Sequence, residues 1–142
     1  MIGLFRHGKA HTDGDEFKRP LTDEGIQWLK AVRGRYNTQW DCLLTSTAER
    51  TQQTGMILSD QVPVVLDKLY VNGSPNKKDL NELMEDLTPY LSQHKNVMIV
   101  THHPMMQPLL QRLTDLPLKE VDFKAGTGVL INSDDLEYVL KD

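Results

Sequence analysis

The chain has little of what would mark a secreted, membrane or nucleic-acid-binding protein. One cysteine, Cys42, excludes an internal disulfide framework and suits a reducing compartment. No apolar run approaches the ~20 residues of a membrane-spanning helix. At the amino terminus Arg6 and His7 interrupt the apolar stretch before a signal-peptide core can form. Together these absences predict a cytoplasmic location. No basic run stands out and the net charge is −4, which argues against a nucleic-acid partner, since that needs a concentrated cationic face. It does not argue against a small anionic ligand: salt screens over ~8 Å, so a few buried arginines dominate a pocket even in an acidic chain. The five histidines and one cysteine show no zinc-type spacing, so neither a metal nor another cofactor is expected. Repeats, low-complexity tracts and linkers are also missing, and 142 residues suit a single domain spanning 1–142.

What is present is an ordinary globular composition, 39% hydrophobic and 25% charged, organised as alternating short apolar and longer amphipathic runs. MIGLF reads as a first strand. TDEGIQWLKAVRGRY reads as a first helix, with Thr22 as N-cap and Asp23 and Glu24 in the favourable first turn. CLLT is a second strand and AERTQQTGMILSD a second helix. VPVVLD is a third strand, and KKDLNELMEDLTPYLSQ is a helix with Leu80, Leu83, Leu87 and Leu91 on one face. NVMIVT is apolar on both faces, as a central parallel strand is. PMMQPLLQRLTD is a fourth helix with Pro104 at its first position. TGVLIN and LEYVL read as a closing hairpin. The pattern predicts a three-layer α/β/α domain with a mostly parallel central sheet and a carboxyl-terminal antiparallel hairpin.

In such sheets ligands bind at the carboxyl ends of the strands, so the residues just past each buried strand carry the functional reading. The first strand is followed by Arg6-His7-Gly8, the second by TSTAER with Ser46 and Arg50, the fourth by Thr101-His102-His103. Singly, each has a plain reading: a capping histidine, a solvated helix arginine. Jointly they predict a pocket of two arginines and two histidines. That set suits phosphoryl transfer, which is largely positioning plus electrostatic stabilisation. Arginine offers a planar fork matched to phosphoryl oxygens. A histidine between arginines is kept neutral and nucleophilic near pH 7. Gly8 permits close backbone approach, and the start of the second helix near Ser46 adds backbone donors.

RHG at 6–8, RPLTDEG at 19–25, TSTAERTQQTG at 45–55 and VTHHP at 100–104 resemble, in order, the signature blocks of the histidine phosphatase superfamily, the phosphoglycerate mutase-like fold. Among its members the short, cap-less phosphohistidine phosphatases of the SixA type are the nearest in pattern. The resemblance implies that His7 attacks phosphorus and is transiently phosphorylated, that Arg6, Arg50 and His102 hold the phosphoryl oxygens, and that no metal takes part. Thr101 departs from the usual glycine and His103 from the usual asparagine. His103 is read as a substrate-binding or helix-capping residue, and Arg19 as either a phosphate contact or the partner of a loop acid.

Superfamily members that act on sugar or glycerate esters use a glutamate to protonate the leaving alkoxide. The corresponding region here, VVLDKLYVNGSPNKKD, holds Asp67 but no glutamate. Such an acid is worth ~10²–10⁴ in rate, and a departing imidazole needs it far less than an alkoxide. The short, open pocket and the missing acid favour phosphohistidine on a protein partner over a small phosphorylated molecule. Asp13, Asp15, Glu16 and His11, in the loop after the first strand, are the alternative donors. Two other readings stand beside this one: a small-molecule phosphomonoesterase and a catalytically weak module that binds phosphorylated ligands.

Overall fold

The computed structural model describes residues 1–141. Six strands form one sheet: β1 (Ile2–Arg6), β2 (Cys42–Thr45), β3 (Val64–Val65), β4 (Val97–Thr101), β5 (Gly128–Ile131) and β6 (Leu136–Val139), in the order β3-β2-β4-β1-β5-β6. β1, β2, β3 and β4 are parallel, while β5 runs antiparallel to both β1 and β6. This is the expected α/β architecture with its terminal hairpin.

Alternation along the strands sorts side chains into two layers. Leu4, Leu44 and Ile99 point to one face and meet Leu83 and Leu87 of α3 (Lys77–Gln93) and Leu109 and Leu110 of α4 (His103–Leu113). Phe5, Leu43, Met98 and Val100 point to the other and meet Leu29 and Val32 of α1 (Asp23–Arg33) and Leu58 of α2 (Glu49–Ser59). Every residue of β2 and β4 is buried, which is why those segments show no polar side in the sequence.

Thr22 caps α1, its side chain accepting from the Gly25 amide as the sequence predicts. α3 opens on a reciprocal capping box between Asn76 and Asp79. The third strand is much shorter than VPVVLD: only Val64 and Val65 pair, both exposed at the sheet edge. Pro63 cannot donate to a ladder, and the chain then turns into a 3-10 segment over Asp67–Leu69. Asp67 therefore opens a turn rather than ending a strand. α1 stops at Arg33, where Gly34 caps it, short of the expected Tyr36. No helix among the described residues is long and apolar enough to cross a membrane.

The parallel register brings three strand ends level. Arg6 stands opposite Thr101, and Thr45 opposite Val100. β1, β2 and β4 thus end within a residue of one another, and the next residues in each chain segment, His7, Ser46 and His102, emerge side by side.

Candidate active site

At this rim Arg6, His7, Arg50 and His102 converge. The His7 backbone is clamped first: its amide donates to the Thr101 carbonyl at 3.1 Å, and its carbonyl accepts from the Gly126 amide at 2.8 Å. Gly126 holds φ +75°, in the left-handed region open to glycine, and its own carbonyl accepts from Trp28 Nε1. The glycine segment before β5 thus closes onto His7 through the backbone.

The His7 ring is then oriented. Nδ1 lies 2.8 Å from the Gly8 carbonyl, an acceptor, so Nδ1 carries the proton and Nε2 keeps its lone pair. Nε2 accepts from Arg50 Nε at 3.3 Å. Burial pushes the His7 pKa down to about 4; the positive charges of Arg50 and Arg6 act the same way, and the Gly8 hydrogen bond opposes them only in part. His7 is neutral at pH 7.

His102 lies edge-on to His7 with ring centroids 5.3 Å apart. Its Nε2 is 2.9 Å from Ser46 Oγ, and its Nδ1 is 3.4 Å from Arg50 Nη2. Arginine only donates, so Nδ1 is the acceptor here and Nε2–H donates to Ser46. The Ser46 hydroxyl also accepts from the Ala48 amide and sits 3.0 Å from Thr51 Oγ1, which donates to the Ala48 carbonyl. A relay of hydroxyls thus holds the second imidazole. Burial first, then the neighbouring His7, Arg50 and Arg6, push the His102 pKa to about 3.

Arg50 is 3% exposed. Besides the two histidines it donates to the main-chain carbonyl of Glu16 and, at 2.9 Å, to the Glu16 carboxylate. The Glu16 carboxylate also accepts from Arg19 Nη2 at 3.0 Å and from the Tyr70 hydroxyl at 3.3 Å. Partial burial pulls the Glu16 pKa upward, but the hydrogen bonds from Arg19 and Arg50 outweigh it and hold the carboxyl below its ordinary value. Arg6 donates through Nη1 to the Phe123 carbonyl, while its buried Nε has no partner among the described residues.

The other sequence-predicted residues divide. Ser46 supports His102 through its hydroxyl. Gly8 does not adopt an unusual dihedral: its amide donates to Thr54 Oγ1, and a Cβ there would meet Leu29 Cδ1 at 2.8 Å. Its smallness serves the packing of α1 against the strand end. Arg19 pairs with a loop acid, Glu16, and with the His11 carbonyl. His103 begins α4 and turns outward, its Nε2 2.9 Å from the Asp122 carboxylate. The N-cap position of α4 belongs to His102 instead, and Pro104 sits one place further into the helix than expected. Thr101 Oγ1 donates to the Leu69 carbonyl at 2.7 Å, so the departure from glycine secures the 3-10 turn. Tyr70, for which the sequence carries no signal, follows that turn and stacks edge-on to His102 at 4.9 Å.

Known proteins resemble the chain in part of its sequence and in its fold. Residues 2–69, which include Arg6, His7 and Arg50, match the model of the histidine phosphatase superfamily (branch 1). No curated protein matches the sequence at a significant level. Among solved structures, the fold is similar to that of the protein histidine phosphatase SixA complexed with tungstate, with TM-score 0.71, 20% identity, and 96% and 92% of the two chains covered. A candidate phosphohistidine phosphatase SixA from Nakamurella multipartitia gives TM-score 0.65 at 25% identity, over 90% of this chain and 81% of that one. The alpha-ribazole phosphatase from Shigella flexneri gives 0.71 at 18% identity, over 99% and 96%. The sequence of residues 2–69 is thus similar to the histidine phosphatase superfamily (branch 1), and the fold along the chain is shared with solved phosphatases.

Proposed function

We propose that the chain is a phosphatase that works through a phosphohistidine intermediate on His7 and removes phosphate from phosphohistidine on a protein. The observation that carries this reading is the hydrogen bond from His7 Nδ1 to the Gly8 carbonyl. It leaves Nε2 unprotonated, its electron pair held only by the 3.3 Å hydrogen bond from Arg50 Nε. Such a nitrogen attacks phosphorus: an Nε2–P bond forms, the bond to the leaving group breaks, and its electron pair departs with that group. Water then attacks the phosphorus of phospho-His7, releasing inorganic phosphate and restoring the neutral imidazole.

Arg6 and Arg50 supply the positive charge that spreads over the phosphoryl oxygens, so in this reading no metal ion is required. The unpartnered Arg6 Nε is a donor waiting for an acceptor. His102 adapts through Ser46. An arriving oxygen favours the tautomer with the proton on Nδ1, and the Ser46 hydroxyl then reverses to donate to Nε2, since Thr51 has its own acceptor in the Ala48 carbonyl.

Two features support a protein phosphohistidine over an ester. Asp67 is exposed at the start of its turn, and Glu16, the acid beside Arg50, is held ionised by arginines; neither is poised to protonate an alkoxide. A small phosphorylated ester is the second reading, favoured by the fold shared with an alpha-ribazole phosphatase. The test is a panel comparing a phosphohistidine-bearing protein with common phosphate esters, with and without a chelator. Faster release from phosphohistidine, unaffected by the chelator, is expected. Preference for an ester supports the second reading, and tight binding of phosphorylated ligands without phosphate release supports a binding module.

A further inference from the structure

We propose that Glu16 is an internal competitor for the phosphate cradle, and that its return to Arg50 helps expel the inorganic phosphate product. This rests on the phosphatase reading but concerns a residue that reading does not use.

The guanidinium that should grip phosphoryl oxygens is already occupied by the chain itself. Arg50 Nη1 donates to the Glu16 carbonyl and Nη2 to the Glu16 carboxylate. The carboxylate is not placed there by chance of a loose loop. Arg19 and the Tyr70 hydroxyl grip it, and Arg19 is anchored on the His11 carbonyl. Around it, the Asp15 side chain accepts the Phe17 amide, the Asp15 carbonyl accepts those of Lys18 and Arg19, and the Phe17 carbonyl accepts the Glu49 amide. The loop is thus tied to the residue that begins α2.

The two partners differ in freedom. The Arg50 side chain is 4% exposed and cannot move away, whereas that of Glu16 is 47% exposed and can swing into solvent. An oxygen of a phosphoryl group entering at Nη2 must displace the carboxylate, because two anions sharing one guanidinium repel. After hydrolysis the carboxylate, tethered by Arg19 next to the site, competes for Arg50 as an intramolecular ligand. Phosphate binds only the fraction of molecules in which Glu16 has swung away, so its apparent affinity falls by that fraction. A buried cradle of two arginines would otherwise hold a dianionic product tightly, and product release often limits turnover.

Glu16→Gln keeps the shape and one hydrogen-bond acceptor but removes the charge. Calorimetric titration of the whole chain with inorganic phosphate reads the effect at equilibrium. About tenfold tighter binding than wild type is expected, the scale of one charge-assisted hydrogen bond reduced by partial exposure, together with stronger product inhibition. Glu16→Ala should shift affinity in the same direction and guards against an effect peculiar to glutamine. Equal affinity, weaker affinity or no measurable binding in the two variants overturns the proposal and makes Glu16 a residue that orients Arg50. The titration needs no turnover. Absence of phospho-His7 would therefore sink the phosphatase reading while the phosphate affinities still decide the role of Glu16.

Discussion

The two ends of the parallel strands handle polar groups in opposite ways. At the amino ends, charged and amide groups lie near the surface and are answered by backbone or by an exposed side chain of opposite charge. The Asp41 carboxylate accepts the Lys95 and Asn96 amides at 3.1 and 2.7 Å, the Met1 ammonium donates to the Lys95 carbonyl, and Arg33 pairs with Asp60. At the carboxyl ends, Ser46, Arg50, Thr51, Thr54, Thr101 and His102 are buried together, and a buried N–H of Arg6 has no partner among the described residues. Burying cations and leaving a donor unmet costs folding free energy. The amino-terminal rim reads as stability alone, whereas the carboxyl-terminal rim makes sense if an anion completes it.

Mutation should separate the two rims. The largest effect belongs to His7→Ala, which should lower phosphate release by at least about 10³-fold with little change in stability, read by single-turnover kinetics. Arg50→Lys keeps the charge but loses the fork, and should cost about 10²-fold in kcat. Ser46→Ala removes the support of His102 and should cost roughly ten- to hundredfold, since small misplacements of an aligned group are felt strongly. Retained activity in Ser46→Ala would mean that His102 needs no relay. The smallest effect is expected at the other rim: Asp41→Asn should lower Tm by a few degrees and leave kcat/KM unchanged.

The difference extends to pH. His7 and His102 are neutral in the fold down to about 4 and about 3, whereas in the unfolded chain histidine titrates near its ordinary value of 6.5. Below 6.5 the unfolded state binds more protons than the native one, so stability rises with pH in that window. It should be fully present above 6.5 and be lost as pH falls toward 4, seen as a falling Tm in thermal melts. His102→Asn should flatten part of that slope.

Much of this site is legible in the sequence because it lies where buried strands end. Those strands are continuous apolar runs, and the residues that follow or close them, Arg6, His7, Ser46 and His102, need only a level register to meet. Arg50 follows four residues after Ser46, as the second residue of α2. Glu16 and Tyr70 carry no such signal. Glu16 is one acid among several in an irregular loop, and its place depends on tertiary bonds from Arg50 and Arg19. Tyr70 is aimed by the turn that Thr101 ties to Leu69, residues 32 apart in the chain. The third strand misleads for a related reason: its hydrophobic residues pattern as a strand, but at the edge only Val64 and Val65 find a partner. His103 resembles a pocket residue by adjacency to His102. A one-residue step at a helix start turns the side chain by about 100°, and it meets Asp122 instead.

Whether His7 Nε2 is the atom that takes the phosphoryl group can be read directly. The measurement is phosphorus NMR of the chain trapped with a phosphohistidine donor, with peptide mass spectrometry to locate the modified residue. One acid-labile phosphate per chain is expected, on Nε2 of His7 and absent from His7→Ala. Phosphate on Nδ1, on another residue, or retained in the alanine variant would refute that assignment.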